Sequence, residues 1–223
     1  MDDRFDARFF IQSDPHTDTF LFKIPDTWPF RRYEYLWAAG FAAPGDTVLD
    51  AACGICHPLK FYLSDYCKEV HACDGDGRIL EEVQIRKDIH DVFGEEAAKN
   101  LPPSYFKHIH YKKAQLNALP YEDGKFDKLF CISVLEHLGT EGIKHSLKEF
   151  SRVLKENGMI VLTFDYPPVD PNALQKAIST AGLKFAGEAD FTLPADAITT
   201  DLWGKYYCYR CILVKADSHN GVE

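Results

Sequence analysis

The stretch Val48-Leu49-Asp50-Ala51-Ala52-Cys53-Gly54-Ile55-Cys56-His57-Pro58 limits the fold more than any other part of the chain. A short apolar strand at residues 47–51 runs into small residues and a glycine, and a helical stretch at 57–66 follows. Pro58 suits the first position of that helix, where no backbone N–H is needed. Small side chains at Ala51, Ala52 and Gly54 let a ligand approach the backbone. The helix start directs free N–H groups and the positive end of its dipole at the same place. The alternation then continues, with strands at 69–73, 108–115, 126–132 and 158–164 and helices at 77–99, 141–155 and 171–181. Two last strands, 183–191 and 205–215, are separated by the loop 192–204 with no crossover helix, so they pair antiparallel. This order predicts an α/β fold with a doubly wound, seven-stranded sheet, mostly parallel with an antiparallel C-terminal hairpin strand.

The bend also says what it would bind. A dinucleotide needs G-x-G-x-x-G at such a turn so that pyrophosphate can sit on it. This chain has one glycine there, preceded by Asp50, which would repel a diphosphate. An acidic residue suits a ligand bearing an ammonium group, and S-adenosylmethionine carries both an ammonium and a sulfonium. Asp74 ends the second strand in Val70-His71-Ala72-Cys73-Asp74-Gly75, 24 residues after Asp50. An acid at roughly that spacing accepts hydrogen bonds from ribose hydroxyls in nucleotide-binding sheets.

With both elements in view, Val-Leu-Asp-Ala-Ala-Cys-Gly resembles the first motif of the class I S-adenosylmethionine-dependent methyltransferases, and Asp74 resembles their ribose-binding acid. Ala114-Gln115-Leu116-Asn117-Ala118-Leu119-Pro120-Tyr121 is similar to the stretch after their third strand, whose first polar residue meets the adenine amine. The family usually has Asp there; the Gln115 carbonyl can accept the same hydrogen bond without charge. Phe126-Asp127 through Ser133-Val134-Leu135-Glu136-His137-Leu138 resembles the fourth motif, and Phe150 to Lys155 with Gly158 the helix and strand that follow. The resemblance spans roughly residues 31–215 and implies a Rossmann-like fold. It also implies a cofactor site made of Asp50, Ala51, Ala52, Cys53, Gly54, Asp74, Gly75, Gln115, Leu116 and Cys131. Cys56 stands where many relatives have another glycine.

Methyl transfer needs the acceptor held in line behind the sulfonium methyl, and a base only when the acceptor must lose a proton. His137, at the carboxyl edge of the sheet, is the candidate base; the alternative is that it packs on the cofactor or caps a helix. Glu136 reads as a solvated or structural carboxylate. The first 45 residues form an aromatic-rich extension containing Phe20, Phe22, Trp28, Phe30, Tyr33, Tyr35 and Trp37. These rings either form a lid over an apolar pocket or cover the sheet, and Tyr33 or Arg31 can reach the cofactor's carboxylate. Residues 46–216 form the methyltransferase domain, and 217–223 a disordered tail.

The formal net charge of −9 and the scarcity of basic clusters argue against a nucleic-acid acceptor. No apolar run suits a membrane span, and Asp2, Asp3 and Asp6 near the start suit neither a signal nor a transit peptide, so a cytoplasmic location is expected. Seven cysteines include the pairs Cys53/Cys56 and Cys208/Cys211. The second pair lies in a strand, where positions three apart face opposite sides, so no metal is expected. Asp14, His16 and Asp18 read as a polar turn. A small-molecule or glycan acceptor methylated on O or N is expected; a nicotinamide-dependent oxidoreductase and a non-catalytic S-adenosylmethionine- or S-adenosylhomocysteine-binding protein are the alternatives.

Overall fold

A computed structural model of the chain describes residues 3–202 and 204–217. The tail expected over 217–223 lies, past Asp217, outside the described residues. The strands are β1 (Arg8–Phe9), β2 (Thr19–Phe20), β3 (Phe22–Lys23), β4 (Thr47–Ala51), β5 (Glu69–Asp74), β6 (Ile109–Lys113), β7 (Phe126–Ile132), β8 (Leu154–Tyr166), β9 (Leu183–Phe185), β10 (Thr199–Thr200) and β11 (Tyr206–Lys215). The helices are α1 (Arg31–Ala39), α2 (Leu59–Tyr66), α3 (Glu82–Phe93), α4 (Glu95–Asn100), α5 (Tyr105–His108), α6 (Thr140–Val153) and α7 (Pro171–Thr180).

β4 lies at the middle of the main sheet because both its faces are apolar. Successive side chains alternate across a strand, so Val48 joins the core on one face while Leu49 joins the core on the other. It pairs in parallel with β5 (Val48↔Val70) and with β7 (Leu49↔Leu129). The first core includes Phe61 and Leu63 of α2 and Ile85 and Ile89 of α3. The second includes Leu147 and Phe150 of α6 and Leu174 and Ile178 of α7. Helices thus cover both faces, as a parallel sheet requires.

The sheet runs β1-β11-β8-β7-β4-β5-β6, with β9 and β10 also on β11, nine strands against the seven expected. The additions, β1 and β10, are two residues each, too short to leave a period in the sequence. β11 is antiparallel to β8 from Tyr207↔Tyr166 to Leu213↔Ile160. Its outer edge is covered in turn by β10, β1 and β9. The strand expected over 183–191 stops at Phe185. The helix expected over 77–99 is divided into a short 3-10 turn, α3 and α4, the last two separated at Gly94. Gly94 has φ +91° and ψ 171°, a conformation open to glycine and not to other residues. Among the described residues no helix is long and apolar enough to cross a membrane.

Candidate active site

In the parallel half of the sheet the chain winds outward from β4 through β5 and β6, then returns to β7 and β8 on the other side. The carboxyl ends of β4 and β7 therefore flank a crevice at the reversal of strand order, the place where open α/β sheets hold ligands. Both ends carry non-glycine residues with left-handed backbone, Ala52 (φ 54°) after β4 and Ser133 (φ 47°) after β7. Such residues store of order 1–3 kcal/mol each and concentrate at functional sites. Gly54 has φ +60°, and a Cβ on it would fall 2.3 Å from the His57 ring. Only glycine fits there.

The bend after β4 is held by its own polar groups. Cys53 N–H donates to the Cys73 carbonyl (3.0 Å) and Gly54 N–H to Asp74 Oδ2 (2.9 Å), which fastens the bend to the end of β5. Asp74 Oδ1 accepts from Asp76 N–H at 2.8 Å. From below, the fully buried Lys60 donates Nζ to the carbonyls of Gly54 (2.8 Å), His57 (2.6 Å) and Cys53 (3.4 Å). A buried ammonium is tolerated when its three donors are matched. Sequence reasoning missed Lys60; its only sign is its position between Leu59 and Phe61 in the first turn of α2.

Two cavities open on the crevice. One, of 250 Å³, is lined on the β4 side by Asp50, Ala52, Cys53, Gly54 and Asp74. The other, of 440 Å³, is walled by Trp28, Phe30, Glu136, Asp165 and Tyr206 among others. Arg31, His57, Ser133 and His137 border both, so ligands in the two cavities would abut. Of the residues predicted from sequence, Asp50, Ala52, Cys53, Gly54, Asp74 and His137 come together on the smaller cavity. Ala51, Leu116 and Cys131 are buried and do not line it. Gly75 and Gln115 meet beyond the end of β5, where a Cβ on Gly75 would lie 3.0 Å from the Gln115 amide. Tyr33 does not line it either: its ring packs on His16 (4.8 Å) and Phe10 (6.1 Å). The residues of α1 that border the cavity are Arg31 and Tyr35.

The leader's rings divide between the two expected roles. Trp37 is buried against Phe10 and Phe41, in the core. Trp28 lies at the site and stacks on His57, centroids 4.3 Å apart and planes 10° from parallel. Tyr35 hydroxyl and His57 Nδ1 share a hydrogen bond of 2.5 Å. His137 is exposed at the cavity rim.

Charge in the crevice is anchored by Glu34, whose side chain is 0% exposed. It pairs with Arg31 and accepts from Ser133 Oγ (2.6 Å), Thr163 Oγ1 (2.5 Å) and Cys208 Sγ (3.3 Å). Burial pushes its carboxyl up, but Arg31, Ser133 and Thr163 together hold it below the ordinary range. Asp50 is the opposite case. Burial pushes its carboxyl up to about 7 despite the pull of Lys60, with Asp74 adding to the push, and its Oδ2 is buried without a hydrogen-bond partner. Burial, with Arg31 and Lys60, drives the His57 pKa well below its ordinary value, so that ring is neutral. Glu136, expected as a solvated or structural carboxylate, instead stands half-buried in the wall of the larger cavity. Burial lifts it to about 8, helped by Asp165, and lifts Asp165 to about 7, helped by Glu34.

The cysteines are free. Cys208 packs in one core and Cys211 in the other, the opposite facing that their spacing predicts. Asp14 is taken by Arg8 and the Ile11 N–H, and Asp18 by Arg32. Among the described residues one trio of possible metal ligands occurs, Glu69, His71 and His110, with ligand atoms within 4.8 Å of one another. It lies away from both cavities, with the Lys125 ammonium 3.8 Å from Glu69.

A family model described as a methyltransferase domain matches residues 49–162, from β4 through most of β8. The chain belongs to the class I S-adenosylmethionine-dependent methyltransferases. Solved structures of similar fold include a SAM-dependent methyltransferase from Methanosarcina mazei (TM-score 0.56, 15% identity, 80% of this chain and 96% of that one). A TehB-like SAM-dependent methyltransferase from Corynebacterium glutamicum is similar at TM-score 0.55 and 16% identity, over 82% and 86% of the two chains. The 4+2 cyclase SpnF has the same TM-score of 0.55 at 15% identity, over 82% and 80%. No curated protein sequence matches the chain.

Proposed function

We propose that this methyltransferase moves the methyl group of S-adenosylmethionine to an O or N atom of a small-molecule or glycan acceptor. The observation that carries the reading is Asp50 Oδ2, a buried carboxylate oxygen without a partner, on a cavity that shares a wall with a second one. A buried acceptor atom left unmatched is costly, and the α-ammonium of the cofactor would satisfy it in both hydrogen bonding and charge. The donor set beside it fits the rest of the group. Asp74 spends one lone pair of each oxygen on the backbone of Gly54 and Asp76, leaving the others for ribose hydroxyls. Gly75 and Gln115 lie on the adenine side in this reading, and Arg31 replaces Tyr33 as the residue of α1 beside the methionine end. The bound cofactor supplies an electrophilic methyl; the chain orients it, and Trp28 and Phe30 help exclude water from the second cavity. The extension of residues 1–45 thus acts as the cover of the acceptor side, and residues 46–216 as the methyltransferase domain proper.

Isothermal titration with S-adenosylhomocysteine tests the cofactor site, and Asp74→Ala is expected to weaken that binding about tenfold or more with the fold retained. A screen of acceptors with labelled methyl donor, read by mass spectrometry, tests the transfer. Family membership removes the support for a nicotinamide enzyme. A binding protein without transferase activity is the second reading, favoured by the fold shared with the 4+2 cyclase SpnF; it predicts cofactor binding with no acceptor-dependent S-adenosylhomocysteine formation.

A further inference from the structure

The methyl-transfer reading leaves the acceptor open, and the larger cavity carries two unmatched carboxyls that select one. Glu136 and Asp165 both stand in its wall. One oxygen of each, Glu136 Oε2 and Asp165 Oδ1, is buried without a hydrogen-bond partner. The cation bordering the cavity, Arg31, is already held by Glu34. His57 brings no charge, and its Nδ1 is engaged by Tyr35. Trp28, Phe30 and Tyr206 supply the aromatic part of the wall. We propose that the acceptor is an amine, a small primary or secondary ammonium on an apolar body, held head-first by Glu136 and Asp165 with its body against these rings.

Other acceptor classes fit less well. An alcohol offers one donor and no charge, so it leaves at least one of the two carboxyls unmatched. A phosphate or carboxylate would meet two carboxyls and a guanidinium already paired with Glu34. A primary ammonium brings three donors and a charge that favours the ionised form of both carboxyls, and aromatic faces attract it as well. The carboxyl values of about 8 and 7 suit the proton that such an acceptor must lose. Glu136 in its ionised form takes one N–H proton from the bound ammonium. The freed lone pair then forms the N–C bond to the methyl carbon, and the C–S bond breaks with its electron pair remaining on sulfur. The product leaves as the N-methylated ammonium, and Glu136 returns its proton to solvent.

This assignment rests on the methyl-transfer reading, and one experiment separates the two. The protein saturated with S-adenosylhomocysteine is titrated calorimetrically with 2-phenylethylamine and hexylamine, with the alcohol counterpart of each, and with 3-phenylpropanoate. The same compounds are then offered with labelled S-adenosylmethionine. The amines are expected to bind about tenfold more tightly than the alcohols and to gain label on nitrogen, while the carboxylate binds weakest. Glu136→Gln and Asp165→Asn should each erase most of the amine preference while S-adenosylhomocysteine affinity, the sign of an intact fold, stays near wild type. If S-adenosylhomocysteine does not bind the wild-type protein, the methyl-transfer reading fails and takes this one with it. If it binds but the alcohols match or exceed the amines, no amine binds, or neither variant changes the preference, the amine assignment alone is overturned.

Discussion

The two cavities share four residues but are built in different ways. The smaller one is local on its β4 side: Asp50 to His57, Lys60 and Asp74 come from one β4-α2-β5 unit, and their polar groups tie each other down. The larger one is assembled at long range, from Trp28 to Arg31 in the leader, Ser133 to His137 after β7, Asp165 at the end of β8 and Tyr206 at the start of β11. Glu34 is the joint, since its carboxylate gathers Arg31, Ser133, Thr163 and Cys208 from four segments. A half built from one local unit, beside a half pieced together from distant segments, is how one sheet can carry different sites.

Breaking the joint should have the largest effect. Glu34→Gln leaves the half-buried Arg31 without its counter-charge and is expected to cost about 3 kcal/mol of stability, the low end for a broken buried pair, read as a lowered midpoint of urea unfolding. A loss below about 1 kcal/mol, the worth of a surface ion pair, would mean that the acceptor half does not depend on this pair. Lys60→Met strikes the local half instead. It strips donors from the carbonyls of Gly54 and His57, and should cost about 1–3 kcal/mol together with cofactor affinity, while leaving the leader docked. Calorimetry beside hydrogen exchange of residues 8–37 distinguishes that outcome from a global loss.

The next effect is a pH dependence peculiar to the smaller cavity. Asp50 titrates near 7 without ligand, and a cationic ligand prefers its ionised form. Cofactor affinity should therefore be highest above pH 7 and fall about tenfold between pH 8 and pH 6. Asp50→Asn should bind weakly and remove the slope; a slope that persists in the variant assigns it to another group. Smallest is the contact that joins the halves directly. Trp28→Leu removes the stack on His57, worth about 0.5–1.5 kcal/mol, and should weaken S-adenosylhomocysteine binding only severalfold. An effect confined to acceptor turnover would make Trp28 a wall of the larger cavity alone.

The same contrast explains what could be read from the amino acids. Asp50, Gly54 and Asp74 were legible because strand, bend and spacing are short-range patterns set by backbone sterics and ligand charge. Glu136 and Asp165 were not, because neither carries a local sign of burial; each becomes a cavity wall only when β7, β8 and the leader converge. Between Tyr33 and Arg31 the sequence does not choose, for a related reason: two residues apart on a helix point to different sides, and only packing puts Arg31 on the smaller cavity and Tyr33 off it. Lys60 shows the limit of hydropathy, since a lysine is fully buried wherever backbone carbonyls converge to receive it. The strands of the main sheet, though not their order, were nearly complete in the sequence. Only β1 and β10 were hidden, being two residues long and defined by their partner.

That partner has a consequence for how the molecule is made. β1 pairs with Tyr209 and Arg210, two hundred residues further along, so when the ribosome has delivered the β4-α2-β5 unit the strand preceding it has nowhere to dock. The cofactor half can form during translation, and Phe20, Phe22 and Trp28 can pack on Tyr62, Phe93 and His57 as it does, but β1 must wait until β11 leaves the exit tunnel. Closing a loop of that length slows folding, which makes β1 the last part of the leader to dock.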